Sequence, residues 1–239
     1  MPALLKIYNG QVITPGRIIP RGAVLVRDGV IAAIAEGDIE APEAQTIDAK
    51  GNYISPGFID IHVHGGGGHD FMDGSERAFL EIARTHVRYG TTALNPTTLT
   101  SEKEGLLRTL DIYEQANKKN MQGAQFIGMH LEGPYFAMNQ RGAQDPRYIR
   151  DPDPQEYKEV IAYSKNIARW SAAPELKGAI EFAKYLLQHN IIPALAHTDA
   201  IYEEVEEAFA NGCRLATHLY SGMSGVTRRN ALRYAGVVE

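Results

Sequence analysis

Ser55-Pro56-Gly57-Phe58-Ile59-Asp60-Ile61-His62-Val63-His64 is the stretch on which the reading of this chain turns. An apolar run from Phe58 to Val63 ends in two histidines two positions apart. Side chains alternate along a strand, so His62 and His64 leave the same face. Pro56-Gly57 punctuates the start of the strand and Gly65-Gly66-Gly67-Gly68 its end. Two imidazoles on one face of a strand end, beside a glycine loop, form half of a clamp for a divalent ion. The plain alternative is a strand that carries two incidental histidines.

Downstream of this stretch, strands and helices alternate. Phe79, Ile82, Ala83, His86 and Val87 have helical spacing, Gly90 ends that helix, and 91–95 is a second strand. Ser101 with Glu104 three residues on predicts a capping box for the next helix. A third strand spans 126–132, followed by a loop over 133–152. Asp153-Pro154 opens a helix, and 167–172 is a fourth strand. Leu176, Ala179, Ile180, Ala183, Leu186 and Leu187 form a helical stripe, and 191–197 is a fifth strand. Ile201, Val205, Ala208 and Phe209 mark a helix closed by Asn211-Gly212, and 213–218 is a sixth strand. Near-continuous apolar strands separated by helices indicate a parallel sheet covered by helices.

Upstream, residues 1–50 read as short strands: 4–8, a turn at Asn9-Gly10, 11–13, 23–27, a hairpin at Asp28-Gly29, 30–34 and 46–48. The expected division is therefore 1–54, part of a small β-sandwich module, and 55–239, a β/α layer.

The chemistry-bearing residues choose between an open sheet and a barrel. His62, His64, Glu132, His197 and His218 all fall at C-terminal ends of strands. A barrel gathers those ends around one mouth, whereas an open sheet spreads them along an edge. The expected fold is thus α/β, a (β/α)8 TIM-like barrel with about six of its eight strands in this chain. A lone strand-end histidine is commonly structural, but four of them with a carboxylate at a fifth such position are hard to obtain by accident. Glu132 closes an apolar strand, where an unpaired carboxylate is costly to bury and a metal relieves the cost. His130 faces the same way one layer deeper and reads as core or support. His86 and His189 fall on helices and read as structural, His69 reads as solvated, and Asp199 reads as a helix N-cap.

Composition narrows the classes. The chain has 239 residues, 44% hydrophobic and 22% charged, as in ordinary globular proteins. A net charge of −5 gives no reason to expect nucleic acid or an anionic membrane as partner. The single cysteine, Cys213, excludes an internal disulfide and a cysteine metal cluster, and fits a reducing cytoplasm. The first nine residues lack the apolar core of a signal peptide. No apolar run approaches the roughly 18 residues of a membrane span.

Imidazole and carboxylate ligands suit Zn²⁺, Fe²⁺, Co²⁺ or Mn²⁺. Water on such an ion has its pKa lowered, to about 7 on zinc, and attacks an amide or ester carbonyl whose oxyanion the metal steadies. A carboxylate is then wanted to pass the proton to the leaving amine. A metal-dependent hydrolase is the expectation.

Residues 51–64 resemble the first-strand signature of the amidohydrolase superfamily. His130-Leu131-Glu132-Gly133-Pro134-Tyr135-Phe136, Arg141-Gly142-Ala143, Ala196-His197-Thr198-Asp199-Ala200, and Thr217-His218-Leu219 followed by Met223-Ser224 resemble the N-acetylglucosamine-6-phosphate deacetylase family. The resemblance runs along essentially the whole chain. It implies that Glu132, His197 and His218 are the principal metal ligands, with His62 and His64 matching a pair found in members that hold a second ion. One or two divalent ions, zinc or iron, are therefore expected. It further implies that Ala143 meets the substrate through its backbone, that Ser221 and Gly222 meet the sugar, and that Arg229 meets its phosphate, an anion that a planar guanidinium suits. The implied reaction releases acetate from N-acetylglucosamine 6-phosphate, in a homodimer whose neighbouring subunit reaches the phosphate. Two departures stand out: Gln144 replaces the family's usual histidine, and Ser221-Gly222 replaces its usual Asn-Ala. The family's general acid and base, an aspartate, is expected beyond Glu239, so no catalytic residue is assigned within the chain. The chain reads as the N-terminal part of such an enzyme, with open sheet edges and poor stability in isolation expected. Two other classes stay open: an amidohydrolase acting on a different acylated amino sugar or a cyclic amide, and a non-enzyme relative, against which the retention of every ligand speaks.

Overall fold

The computed structural model describes residues 4–239, and the chain divides into two compact units, Met1–Gly57 and Phe58–Glu239. In the first, β1 (Leu4–Ile13) pairs antiparallel with β2 (Ile18–Arg27), and β2 with β3 (Val30–Glu36). Asp28 and Gly29 between them have φ of 50° and 80°, the left-handed pair that a two-residue hairpin needs. β4 (Gln45–Asp48) and β5 (Tyr53–Ile54) run parallel to β1. Val12, Ile19, Val24 and Ile54 form the core of this unit. The expected turn at Asn9-Gly10 is not one: both residues lie inside β1. Asn9 has φ 56° and the register shifts between Ile7 and Gly10, so the pair is a bulge in a continuous strand. A Cβ on Gly10 would sit 2.5 Å from Ile54 Cδ1, so glycine is what lets β5 approach.

The second unit carries the alternating pattern. β6 (Phe58–Val63) is followed by a two-bridge ribbon, β7 (Gly65–Gly66) with β8 (His69–Asp70). α1 (Glu76–Arg88) begins at Ser75, whose side chain accepts from the Ala78 N–H. β9 (Thr91–Pro96) pairs parallel with β6, and α2 (Lys103–Lys119) follows it. Ser101 does not form the expected capping box: the N-cap falls one residue later than that motif requires, at Glu102, with no side-chain cap. The expected third strand is two pieces, β10 (Gln125–Phe126) and β11 (Met129–Glu132). Gly128, at φ 104°, breaks it, and a Cβ there would lie 2.6 Å from the Ala168 Cβ.

α3 (Pro154–Tyr163) is capped by Asp153, and β12 (Ile167–Ala172), α4 (Ala179–Gln188), β13 (Ile192–Leu195), α5 (Tyr202–Ala210) and β14 (Leu215–Ala216) complete the alternation. The parallel order β6-β9-β10 continues as β11-β12-β13-β14, with a Thr97–His130 bridge between the two runs. Chain order and spatial order therefore agree, and the C-terminal ends of these strands share one side. An antiparallel hairpin, β15 (Val226–Arg229) with β16 (Leu232–Ala235), closes the chain; nothing in the polar 226–235 stretch had announced it. Among the described residues, β6 and β14 each pair on one flank only. Phe58 and Ile59 on β6 are 65% and 64% exposed, unlike the covered strand that an apolar run suggests.

The core of this unit lies between strands and helices. Trp170, Tyr135 and Phe182 interlock, with Tyr135 stacked on Trp170 at 5.8 Å and Phe182 edge-on to both. The Trp170 indole N–H donates to the Gly133 carbonyl at 2.8 Å. This fixes the strand end that carries Glu132.

Candidate metal centre

Glu132 ends β11 with only 1% of its surface exposed. Four imidazoles converge on its carboxylate, each through Nε2: His218 at 3.0 Å, His64 at 3.2 Å, His197 at 3.4 Å and His62 at 3.7 Å. They arrive from the ends of β6, β13 and β14, as the strand-end spacing predicts. Their ligand atoms form two triads, His62–His64–Glu132 and Glu132–His197–His218, each within 4.8 Å. Oε1 faces His218, His197 and, at the longer distance, His62, and Oε2 faces His64.

The orientation of two rings is fixed from behind. His197 donates Nδ1–H to the Gln140 carbonyl at 2.7 Å, and His218 donates Nδ1–H to the Ser221 carbonyl at 2.8 Å. A ring that gives its Nδ1 proton to a carbonyl keeps its Nε2 lone pair free for a cation. Both residues have positive φ, 47° and 36°, a conformation uncommon outside glycine that clusters at functional sites. His62 Nδ1 and His64 Nδ1 are buried without a hydrogen-bond partner. A neutral imidazole needs one proton, and placing it on Nδ1 leaves Nε2 as a ligand atom here too.

Electrostatics agree with a cation site. Burial would push the Glu132 carboxyl up, but the close His197, His218 and His64 imidazoles outweigh it and hold the group well below the usual carboxylate range. Burial brings His62 down to about 4 against the pull of Glu132. His64 is raised, because the Glu132 contact exceeds the opposing burial, and His218 is raised by the same carboxylate. Four nitrogen donors around one buried anionic oxygen pair fit Zn²⁺, Fe²⁺ or a similar borderline ion.

His130 does not join the ligands. It is fully buried, accepts at Nδ1 from Arg169 Nη2 at 2.7 Å, and its Nε2 meets Ser171 Oγ at 2.7 Å. Arg169 also donates to the Ile61 carbonyl at 2.8 Å, bracing the strand before His62. Burial and the Arg169 charge hold His130 far below its usual value, hence neutral. His86 and His189 bond to carbonyls, those of Gly65 and Tyr185, and the ring of His69 meets Asp73. The expected N-cap role of Asp199 is contradicted: α5 is preceded by Ile201, and Asp199 Oδ1 instead accepts from Gln140 Nε2 at 2.6 Å. Two intervening residues put Asp199 out of capping reach.

The other expected residues fall unevenly. Ala143 is exposed on the loop after Glu132. The backbone of Ser221 brackets His218, donating to its carbonyl at 2.9 Å as well as accepting its ring N–H. Gly222, at φ 65°, lies behind His197: a Cβ there would be 3.1 Å from Nδ1 and 3.2 Å from the Gln140 carbonyl oxygen. Arg229 is engaged by Glu204, at 2.6 and 2.9 Å, and by the Asp199 carbonyl. The residue missed as a contact was Gln144, which is buried and donates to Glu132 Oε2 at 2.8 Å. Its departure from the family pattern was the only signal pointing to it.

The fold and centre define a class, and the chain belongs to it: residues 53–237 match the amidohydrolase family. Within that class it is 33% identical over 93% of its length to an N-acetylglucosamine-6-phosphate deacetylase of Vibrio furnissii, covering 56% of that protein. It is 35% identical over 85% of its length to an N-acetylgalactosamine-6-phosphate deacetylase of Escherichia coli O157:H7, covering 53% of it. The crystal structure of an N-acetylglucosamine-6-phosphate deacetylase from Pasteurella multocida superimposes with a TM-score of 0.88 at 27% identity, over 98% of this chain and 61% of that one. The chain thus spans somewhat over half the length of these relatives. Among the described residues, no helix is long and apolar enough to cross a membrane.

Proposed function

We propose that the centre holds one or two divalent cations, zinc or iron, and that the protein containing this chain hydrolyses the acetamide of N-acetylglucosamine 6-phosphate. The products are glucosamine 6-phosphate and acetate, as in amino-sugar catabolism. The observation that carries the reading is the convergence of four strand-end imidazoles on the buried, ionised Glu132. The similarity to deacetylases of phosphorylated N-acetyl sugars supplies the substrate class.

His197, His218 and Glu132 would hold the principal ion, with His62, His64 and the shared Glu132 carboxylate available to another. The cation supplies Lewis acidity toward the acetamide and its attacking water. The chain's own groups do the rest. The Gln140 and Ser221 carbonyls keep the His197 and His218 lone pairs pointed inward. The exposed backbone at Ala143 and the 221–222 segment border the centre and would receive the sugar. Arg229 would exchange the Glu204 carboxylate for the phosphate, keeping its forked geometry. In this reading the strands belong to a (β/α)8 barrel, residues 1–54 to a β-sandwich module and 55–239 to the hydrolase barrel. The protein is a cytoplasmic homodimer whose neighbouring subunit reaches the phosphate.

A second sugar has a specific observation in its favour: one relative of comparable similarity acts on the galactosamine epimer, and Gln144, Ser221 and Gly222 change the substrate region. The test is acetate release by the intact gene product from both phosphorylated epimers and from unphosphorylated N-acetylglucosamine, with metal content on the same sample. Release from N-acetylglucosamine 6-phosphate that a chelator abolishes is expected. Preference for the galactosamine epimer would select the second reading. Bound metal with no release from any of the three would move the substrate to another acylated sugar or a cyclic amide.

A further inference from the structure

Gln144 occupies an unusual place for a loop glutamine. It is 4% exposed, and both ends of its amide are engaged. Oε1 accepts from the Thr100 backbone N–H at 2.7 Å, and Nε2 donates to Glu132 Oε2 at 2.8 Å. The assignment of the amide is unambiguous, since a backbone N–H only donates and an ionised carboxylate only accepts. A flip would set two acceptors against each other at Glu132 and two donors against each other at Thr100.

The loop that delivers Gln144 is closed on itself. It leaves from Glu132 and is stapled to His197 twice, by the Ala137 N–H to the His197 carbonyl at 2.9 Å and by His197 Nδ1–H to the Gln140 carbonyl. It then returns to the carboxylate from which it started. The terminal torsion of a glutamate is broad and roughly two-fold, and nothing in β11 fixes it. Gln144 at Oε2 and His218 at Oε1 grip the carboxylate from opposite ends. With Oε2 held toward His64, Oε1 is left toward His197 and His218, with His62 farther off on the same oxygen.

We propose that Gln144 is a positioning residue of the centre: its amide sets the rotation of the Glu132 carboxylate, and so sets how the two histidine triads share a divalent cation. This rests on the reading of the centre as a cation site. Gln144 is not a ligand; it acts through Glu132.

The test is equilibrium titration of the metal-free full chain with Co²⁺, whose visible bands report ligand geometry, on wild type, Gln144→Met and Gln144→His, with thermal melts of each metal-free protein. Methionine keeps the length of glutamine but has no donor; histidine restores an N–H. Gln144→Met is expected to bind Co²⁺ about 10- to 100-fold more weakly, as loss of a partner that orients a ligand typically does, with altered visible bands. Gln144→His is expected to recover part of the affinity and the bands. If Gln144→Met fails to fold, Gln144→Leu carries the same readout. Wild-type affinity and bands in the donorless variant would overturn the proposal while leaving the cation reading intact. Failure of the wild type itself to bind Co²⁺ would overturn the cation reading and the proposal with it.

Discussion

Gly222→Ala is the substitution most informative about how the centre is built. The family resemblance implies that Gly222 meets the sugar, and the structure shows it packed behind the His197 ring. Its φ is 65°, so any side chain there carries a left-handed penalty of about 1–2 kcal/mol. The new Cβ would stand 3.1 Å from His197 Nδ1 and 3.2 Å from the Gln140 oxygen, wedged against a 2.7 Å hydrogen bond. Losing that bond adds about 1 kcal/mol. The sum is about 2–3 kcal/mol, which in a protein of this size lowers the melting temperature by about 4–12 °C. The His197 ring would also lose its aim, and Co²⁺ affinity should fall about tenfold or more. Two controls isolate the cause. Gly142 also has positive φ, 56°, but a Cβ there would meet the His197 ring at an ordinary 3.7 Å. Gly142→Ala should therefore show the backbone penalty alone, with cation affinity unchanged. Ser221→Ala leaves the backbone bonds to His218 in place and should change neither readout. The assay is a thermal melt of the metal-free protein paired with Co²⁺ titration. Wild-type affinity in Gly222→Ala, or an equal loss in Gly142→Ala, would refute the reasoning.

Phe182→Ala empties the space between Tyr135, Trp170 and Tyr157, whose rings lie 5.0–5.1 Å from it. It should destabilise the second unit by about 3–5 kcal/mol, read by chemical denaturation; a loss below about 1 kcal/mol would mean that this cluster is loosely packed. Removing bound cation with a chelator should lower the melting temperature reversibly, since a ligand at 100 times its dissociation constant stabilises by about 2.7 kcal/mol; calorimetry before and after re-addition checks it. The Arg229–Glu204 pair gives a pH signature. Burial raises the Glu204 carboxyl, but the Arg229 hydrogen bond outweighs it and lowers the group below its free value. A lowered carboxylate contributes stability above its unfolded pKa and loses it as pH falls through the folded one. Arg229→Gln should therefore melt slightly below wild type at pH 7, by no more than about 1 kcal/mol for so exposed a pair. The difference should vanish on acidification past the folded pKa of Glu204; a gap that persisted there would exclude the ion pair as its source.

Much of this was legible in the sequence, for identifiable reasons. The period of 2 put His62 and His64 on one face, and apolar runs ending in His197, His218 and Glu132 marked the strand ends, because buried parallel strands leave few other places for such residues. Local signals failed where long-range contacts decided. Asn9-Gly10 has the composition of a turn, yet the approach of Ile54 makes it a bulge. Gly128 looked like one more strand residue, yet its φ of 104° breaks the strand, and the Ala168 Cβ leaves room there for glycine alone. Asp199 had the residue type of an N-cap, but Gln140 claims its carboxylate and the helix starts later. Gln144 is 12 residues from the carboxylate that it holds, and only the closure of the loop reveals the pair.

The buried row beneath the centre has a consequence for the traffic of protons. Arg169 can only donate, so His130 accepts at Nδ1 and must give its single proton from Nε2 to Ser171. Ser171 is then free to pass its own hydroxyl hydrogen to Thr217 at 2.9 Å. The bonds from Arg169 to His130 and from His130 to Ser171 both point away from the guanidinium. Burial lowers that guanidinium only to about 10, so it stays charged at neutral pH. A relay along this row would have to start by stripping a proton from Arg169, which makes the floor of the site an insulator. In the proposed hydrolysis, protons would have to travel by a route other than this row.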